Sequence, residues 1–157
     1  MNPNSIRQFP IHTLQIGQLL ESWRWLAPGT FTLVARNAFG DLFLRDAEGR
    51  IHWLEVNGGT LIEIANTSNA FLQMLDSGDM AEIEDAETDA REFAQTGLLP
   101  GPDECIGFKI PLVFEESSEV DENTYIADLY QCVSFLGDIH RQIRDLPDGS
   151  KVELTIR

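Results

Sequence analysis

The residues that could do chemistry in this chain are few and scattered. Glu115 and Glu116 are adjacent carboxylates of the kind that share acid–base work, but neighbouring side chains point apart and these two lead into the polar run "SSEVDEN". His12, His52 and His140 lie far from one another, and the two cysteines, Cys105 and Cys132, are 27 positions apart. Cys132 and His140 fall on one expected helix eight positions apart. That is about 12 Å along its axis, too far to share a metal ion or a proton. The two cysteines make no disulfide framework. No nucleophile elbow, HExxH, Walker or GxGxxG motif is present. The expectation is a protein with no catalytic constellation, no metal and no cofactor. Cys132 then reads as a small core residue and His140 as half-buried.

"FGDLFLRDAEGRIHWLEVNGGTLIEIA" (39–65) is the stretch most easily taken for a ligand site, because glycines let a backbone close on a phosphate. A phosphate loop needs a helix start directly after its glycines, with free N–H groups aimed at the anion. Here a β-forming run follows. "DAEG" (46–49) and "NGG" (57–59) are turn sequences between apolar segments. The stretch reads as an antiparallel meander with strands near 40–45, 50–56 and 60–65. Among the tryptophans, Trp23 falls on an apolar helical stripe and reads as core. Trp25 falls off it, at a sheet edge or towards solvent.

The elements that must position these residues follow from periodicity. Ile16, Leu19, Leu20, Trp23 and Leu26 form one face of an amphipathic helix over 14–26, stopped by "APG". "TFTLVAR" is a strand. Residues 66–78 form a helix capped by Asn66 or Thr67, with Ala70, Phe71, Met74 and Leu75 inward. Residues 79–97 form a second, shallowly buried helix, with acidic residues early and Gly97 just past its end. "CIGFKI" and "PLVFEE" are short strands or a bent extended segment broken at Pro111, and "SSEVDEN" is an exposed turn. "TYIADLYQCVSFLGDIHRQIRDL" begins extended and becomes a helix buried through Leu129, Cys132, Val133, Leu136, Ile139, His140 and Ile143. "KVELTIR" closes the chain as a strand. The sum is one α+β domain over 13–157 with a mainly antiparallel sheet, preceded by a tail at 1–12.

Composition sets the class. The 157 residues are 43% hydrophobic and 24% charged, enough for a core. No apolar run approaches the roughly 20 residues of a membrane span. The opening residues carry no secretory pattern, and no lipidation motif is evident, so a cytoplasmic protein is expected. The net charge of −15 is strongly segregated: residues 76–128 hold 16 acidic and two basic residues, −14, and the rest of the chain −1. Such a field repels nucleic acid and anionic membranes and attracts cationic partners. Asp79, Glu82, Asp85 and Asp89 recur every three or four positions on the second helix and form an outward stripe. With Glu115, Glu116 and Glu119 they are the expected partner-binding residues.

The segments "NAFGDLFLRDAEGRIHWLEVNGGTLIEIA", "ECIGFKIPLVFEES" and "NTYIADLYQCVSFLGDIHRQIRDLPDGSKVELTI" together resemble a bacterial domain of unknown function. It is found in type VI secretion immunity proteins, often after a GAD-like domain. The shared pattern is an FGD strand, a turn and a tryptophan strand, a "GFK-P" segment, and a long "LGxIHxQI" helix ending in "LPDG". The likeness covers about residues 13–157 and extends more distantly to the SUKH immunity superfamily. It implies an α/β sheet with helices and no catalytic residues. It also implies stoichiometric neutralisation of a cognate secreted toxin, such as a basic nuclease, by occlusion. The competing reading of the same fold is a non-catalytic small-molecule or housekeeping interaction module whose acidity serves solubility.

Overall fold

The computed structural model describes residues 6, 9–77, 93–117, 121–147 and 149–151. The fold is α+β. Four strands, β1 (Thr32–Arg36), β2 (Leu42–Arg45), β3 (Ile51–Glu55) and β4 (Thr60–Ala65), pair antiparallel in chain order. A second sheet pairs β5 (Glu104–Phe108) with β6 (Thr124–Asp128), also antiparallel. Three α-helices are fully described: α1 (Ile16–Leu20), α2 (Ser68–Ser77) and α3 (Leu129–Ile143).

The meander forms where its turn chemistry demands. In the β2–β3 turn, Asp46 Oδ1 accepts from the backbone N–H groups of Glu48 (2.9 Å) and Arg50 (3.0 Å), while Gly49 takes φ +86°. In the next turn Gly59 N donates to Glu55 O at 2.8 Å, and β4 starts at Thr60, directly after the glycines. Gly59 has two independent reasons to be glycine. Its φ is +71°, and a Cβ there would collide with the His140 ring.

Alternation along β2 and β3 divides the core. Leu42, Leu44 and Leu54 face α1, the following 3₁₀ turn (Glu21–Trp23) and α3, where Leu19, Leu20, Trp23, Leu129, Val133 and Leu136 meet them. Phe43, Ile51 and Trp53 point the other way, to Phe71 of α2. Phe43 stacks on Trp53 at 6.0 Å and meets Phe71 at 5.3 Å between centroids. Both faces of the central strands are therefore covered, which is why β2 reads as an unbroken apolar run. A third cluster, Phe9, Ala38, Phe39, Phe93 and Ile106, joins the β1–β2 turn to β5.

The helices follow their end signals. Thr67 Oγ1 accepts from Ala70 N at 3.0 Å and caps α2. Asp128 caps α3 through Gln131 N at 2.9 Å. Residues 93–95 are helical, and Gly97 closes them at φ +95°. Leu98 N bonds Phe93 O (3.2 Å) and Gly97 N bonds Ala94 O (3.1 Å), the paired bonds of a Schellman closure.

Four expectations are corrected. The first helix has only five α residues before tightening into the 3₁₀ turn, because Trp23 must reach inward to donate from Nε1 to Val133 O at 2.9 Å. "PLVFEE" is not a strand. Residues 112–113 and 115–116 are turns, with Phe114 N bonded to Pro111 O at 3.0 Å and Ser117 N to Phe114 O at 3.1 Å. The stripe of α3 is centred one position over: Gly137 is buried, while Cys132 and Ile143 are only partly so. Gly137 lets the 3₁₀ turn approach, since a Cβ there would strike Ser22. His140 is almost wholly buried rather than half-buried. The expected helix over 79–92 and the closing strand "KVELTIR" fall outside the described residues, Lys151 apart. None of the helices among the described residues is long and apolar enough to cross a membrane.

Candidate functional site

Two groups of polar residues compete for the role of site, and their geometry separates them. The first lies in the β1–β2 turn. Asn37 Oδ1 accepts from Phe39 N and Asp41 N, both at 3.0 Å, and its Nδ2 donates to Asp41 Oδ2 at 3.0 Å. Asp41 also accepts from Trp53 Nε1 (3.1 Å) and Val56 N (2.9 Å). Burial raises the Asp41 carboxyl from 3.8 to about 6 against the opposing pull of its hydrogen bonds. The two side chains are enclosed, and every donor aimed at the carboxylate comes from the fold itself. Asn37 and Asp41 thus tie the β1–β2 turn to β3 and to the β3–β4 turn. His140 completes this frame: Nε2 donates to Asn57 O at 3.1 Å, and burial lowers its pKa, keeping the ring neutral.

Arg36 plays a similar part. Its Nη2 donates to Gly101 O (3.0 Å) and Glu104 O (2.7 Å), and its Cζ lies 4.1 Å from the Phe9 ring centroid. Desolvation lowers its pKa to about 10, so it stays charged at neutral pH. It anchors the lead-in to β5, and Ile106 N bonded to Ala38 O at 2.8 Å fixes the strand itself.

The second group faces outward on the β5–β6 unit. The loop 109–117 leaves β5 and returns against Asn123, which is buried at the base. Lys109 N donates to Asn123 O (2.7 Å) and Ile110 N to Asn123 Oδ1 (2.8 Å). Asn123 Nδ2 donates to Ile110 O and to Ser117 Oγ, both at 3.1 Å, and Ser117 Oγ donates to Ile110 O at 2.7 Å. The loop is thus held at both ends by one side chain. It presents Ile110 (41% exposed) and Val113 (43%) beside exposed Glu115 and Glu116.

On β6, Tyr125 lies across Gly107 of β5, where a Cβ would sit 3.0 Å from its ring; Tyr125 keeps 43% of its surface exposed. Asp103, Glu122 and Asp128 are exposed on the same unit, and Lys109 is its one basic residue. Apolar and aromatic side chains on a fixed loop, set among carboxylates, are the makings of a protein-binding surface rather than of a reaction centre.

Of the seven expected partner-binding residues, the structure places Glu115 and Glu116 together in the second turn of this loop. Asp79, Glu82, Asp85, Asp89 and Glu119 lie outside the described residues. Ile110, Val113, Asn123 and Tyr125 were not singled out from sequence. The only local signal was an asparagine ahead of a β-forming run. Trp25 stacks on Trp23 at 5.8 Å with Arg144 above it at 5.5 Å, so it closes the α1–α3 seam. Among the described residues no group of three or more His, Cys, Asp or Glu could hold a metal ion. No protein-family model matches the chain, and no curated protein matches it either.

Proposed function

We propose that this chain is a non-catalytic, cytoplasmic binding protein of the type VI secretion immunity kind. It neutralises a basic toxin, such as a nuclease, by occupying the surface that would hold the toxin's substrate. A nuclease must carry cationic side chains to grip phosphates, and an acidic protein competes for the same cleft. The observation that carries the reading is the loop 109–117, pinned by Asn123. It sets exposed Ile110 and Val113 beside Glu115 and Glu116 in the segment 76–128, which supplies −14 of the net −15 charge. The apolar side chains supply desolvated contact and the carboxylates supply steering and register. A SUKH-like relationship belongs to this proposal and rests on the sequence resemblance.

The test is co-expression with a candidate toxin from a neighbouring gene, followed by purification and measurement of toxin activity. A stoichiometric complex without toxin activity is expected. Separate elution with full toxin activity would refute the reading.

A narrower observation favours the alternative, a small-molecule module. An open groove of about 450 Å³ lies between the 3₁₀ turn and α3, lined by Trp25, Asp138 and Arg141, with Ser22 Oγ buried and unpartnered at its wall. Asp138 and Arg141 pair with each other there at 3.5 Å, and so leave little polar capacity for a ligand.

A further inference from the structure

The two cysteines, remote in sequence, meet in the fold. Cys105 sits on the face of β5 that carries Ala127 opposite it on β6, and both belong to the core shared with Leu129 and Val133 of α3. Cys132 projects from the first turn of α3 against that core. The point where a Gly40 Cβ would lie is 3.5 Å from Cys105 Sγ and 3.6 Å from both Leu129 Cδ1 and Val133 Cγ2, so Cys105 sits against the turn of α3 that carries Cys132. Cys105 is fully enclosed, while Cys132 is only partly covered. Tyr125, lying across Gly107, borders the pair from the exposed side.

We propose that Cys105 and Cys132 are a site of reversible oxidation, forming an intramolecular disulfide that joins β5 to α3. The proposal stands apart from the binding reading. Its grounds are that the two thiols lie on facing elements of one core cluster, from which the S–S distance of about 2.05 Å can be approached, and that Cys132 is the less covered of the two. The interaction between the two thiols lowers the Cys132 pKa and, with burial, raises that of Cys105. Thiolate character therefore concentrates on the less covered cysteine.

With a hydroperoxide as oxidant, Cys132 Sγ attacks a peroxide oxygen. An S–O bond forms, the O–O bond breaks, and the departing hydroxide takes up the proton that Cys132 released. Cys105 Sγ then attacks the sulfenic sulfur: the S–S bond forms, the S–O bond breaks, and the hydroxyl leaves as water with the Cys105 proton. Two thiols lose two electrons and two protons, and hydrogen peroxide becomes two waters.

The experiment treats the full chain with a few equivalents of hydrogen peroxide, then measures intact mass, free thiols after denaturation, the peptide map and the melting temperature. The expected result is loss of two hydrogens and of both thiols, a peptide joining Cys105 to Cys132, and a Tm raised by about 10 °C that returns with dithiothreitol. Cys132→Ser, with Cys132→Ala as a second variant at this partly covered position, should leave Cys105 reduced under the same treatment. The proposal is overturned if both thiols survive, or if Cys132 gains oxygen or links two chains while Cys105 stays free. It is also overturned if the crosslinked chain melts no higher than the reduced one, because the bond would then form only by disrupting the native contact.

Discussion

The β1–β4 meander and the β5–β6 unit hold similar polar chemistry and dispose of it in opposite directions. In the meander, Asn37, Asp41 and Trp53 are turned inward, His140 of α3 bonds the β3–β4 turn, and these hydrogen bonds end on the fold. In the β5–β6 unit one buried side chain, Asn123, does the holding, and Ile110, Val113, Glu115, Glu116 and Tyr125 face solvent. The meander's glycines, its histidine and an Asp41 carboxyl raised to about 6 by burial would nominate it as the site. Satisfaction of donors and acceptors reverses that choice: a closed network has nothing left to offer a ligand.

The largest effect that could break this contrast comes from Asp41→Ala. It strands the donors of Asn37, Trp53 and Val56 in the core, and should cost about 4 kcal/mol in urea unfolding. A cost below about 1 kcal/mol would mean that the network is dispensable and the meander is free for another role.

The same carboxyl should tie stability to pH. Its pKa is raised on folding from 3.8 to about 6, so the native state holds a proton that the unfolded chain has released. Its contribution is full below pH 4 and is lost as pH rises towards 6, by about 3 kcal/mol. His140 acts in the opposite sense. Its pKa is lowered on folding, so its contribution is present above 6.5 and falls away as the pH drops below that value. Subtracting the pH profile of Asp41→Asn from that of the native chain removes the histidine's part. A flat difference would contradict the buried placement of Asp41.

Gly59→Ala sharpens the contrast at a single turn. The positive φ and the His140 ring both oppose the new methyl group, and a loss of about 2 kcal/mol is expected. His140→Ala in the Gly59→Ala background should recover part of the loss, as the collision is relieved and the φ cost remains. Equal losses in both backgrounds would show that the ring is not the obstacle. The smallest effect is expected on the outward side: Glu115→Lys with Glu116→Lys should alter stability by no more than about 0.5 kcal/mol, as befits two exposed turn residues.

What was legible in the sequence was what is fixed locally. "DAEG" and "NGG" set the meander because Asp46, Gly49 and Gly59 act on their own turns. The α3 stripe followed from 3.6-residue spacing; it overstated Cys132 and Ile143 and missed Gly137, whose burial depends on the close approach of Ser22. The failures are long-range. "PLVFEE" has strand composition, yet Asn123 draws its start into a hydrogen-bonded loop. Arg36 ends a strand like any surface arginine until segment 101–104 offers it two carbonyls. Cys105 and Cys132 are distant along the chain, and only the packing of β5 against α3 brings them together. The candidate site was legible as charge, through Glu115 and Glu116, and not as the apolar surface beside it.

On the proposed function, the outward face and not the inward network meets the partner. The most direct test is the association rate with the proposed basic toxin partner across a salt series, comparing the native chain with Glu115→Lys/Glu116→Lys. The account predicts slower association by about tenfold at low salt and a shallower salt dependence, with folding unchanged. The same rate and the same salt slope in both proteins would contradict it and leave these carboxylates as a solvated surface.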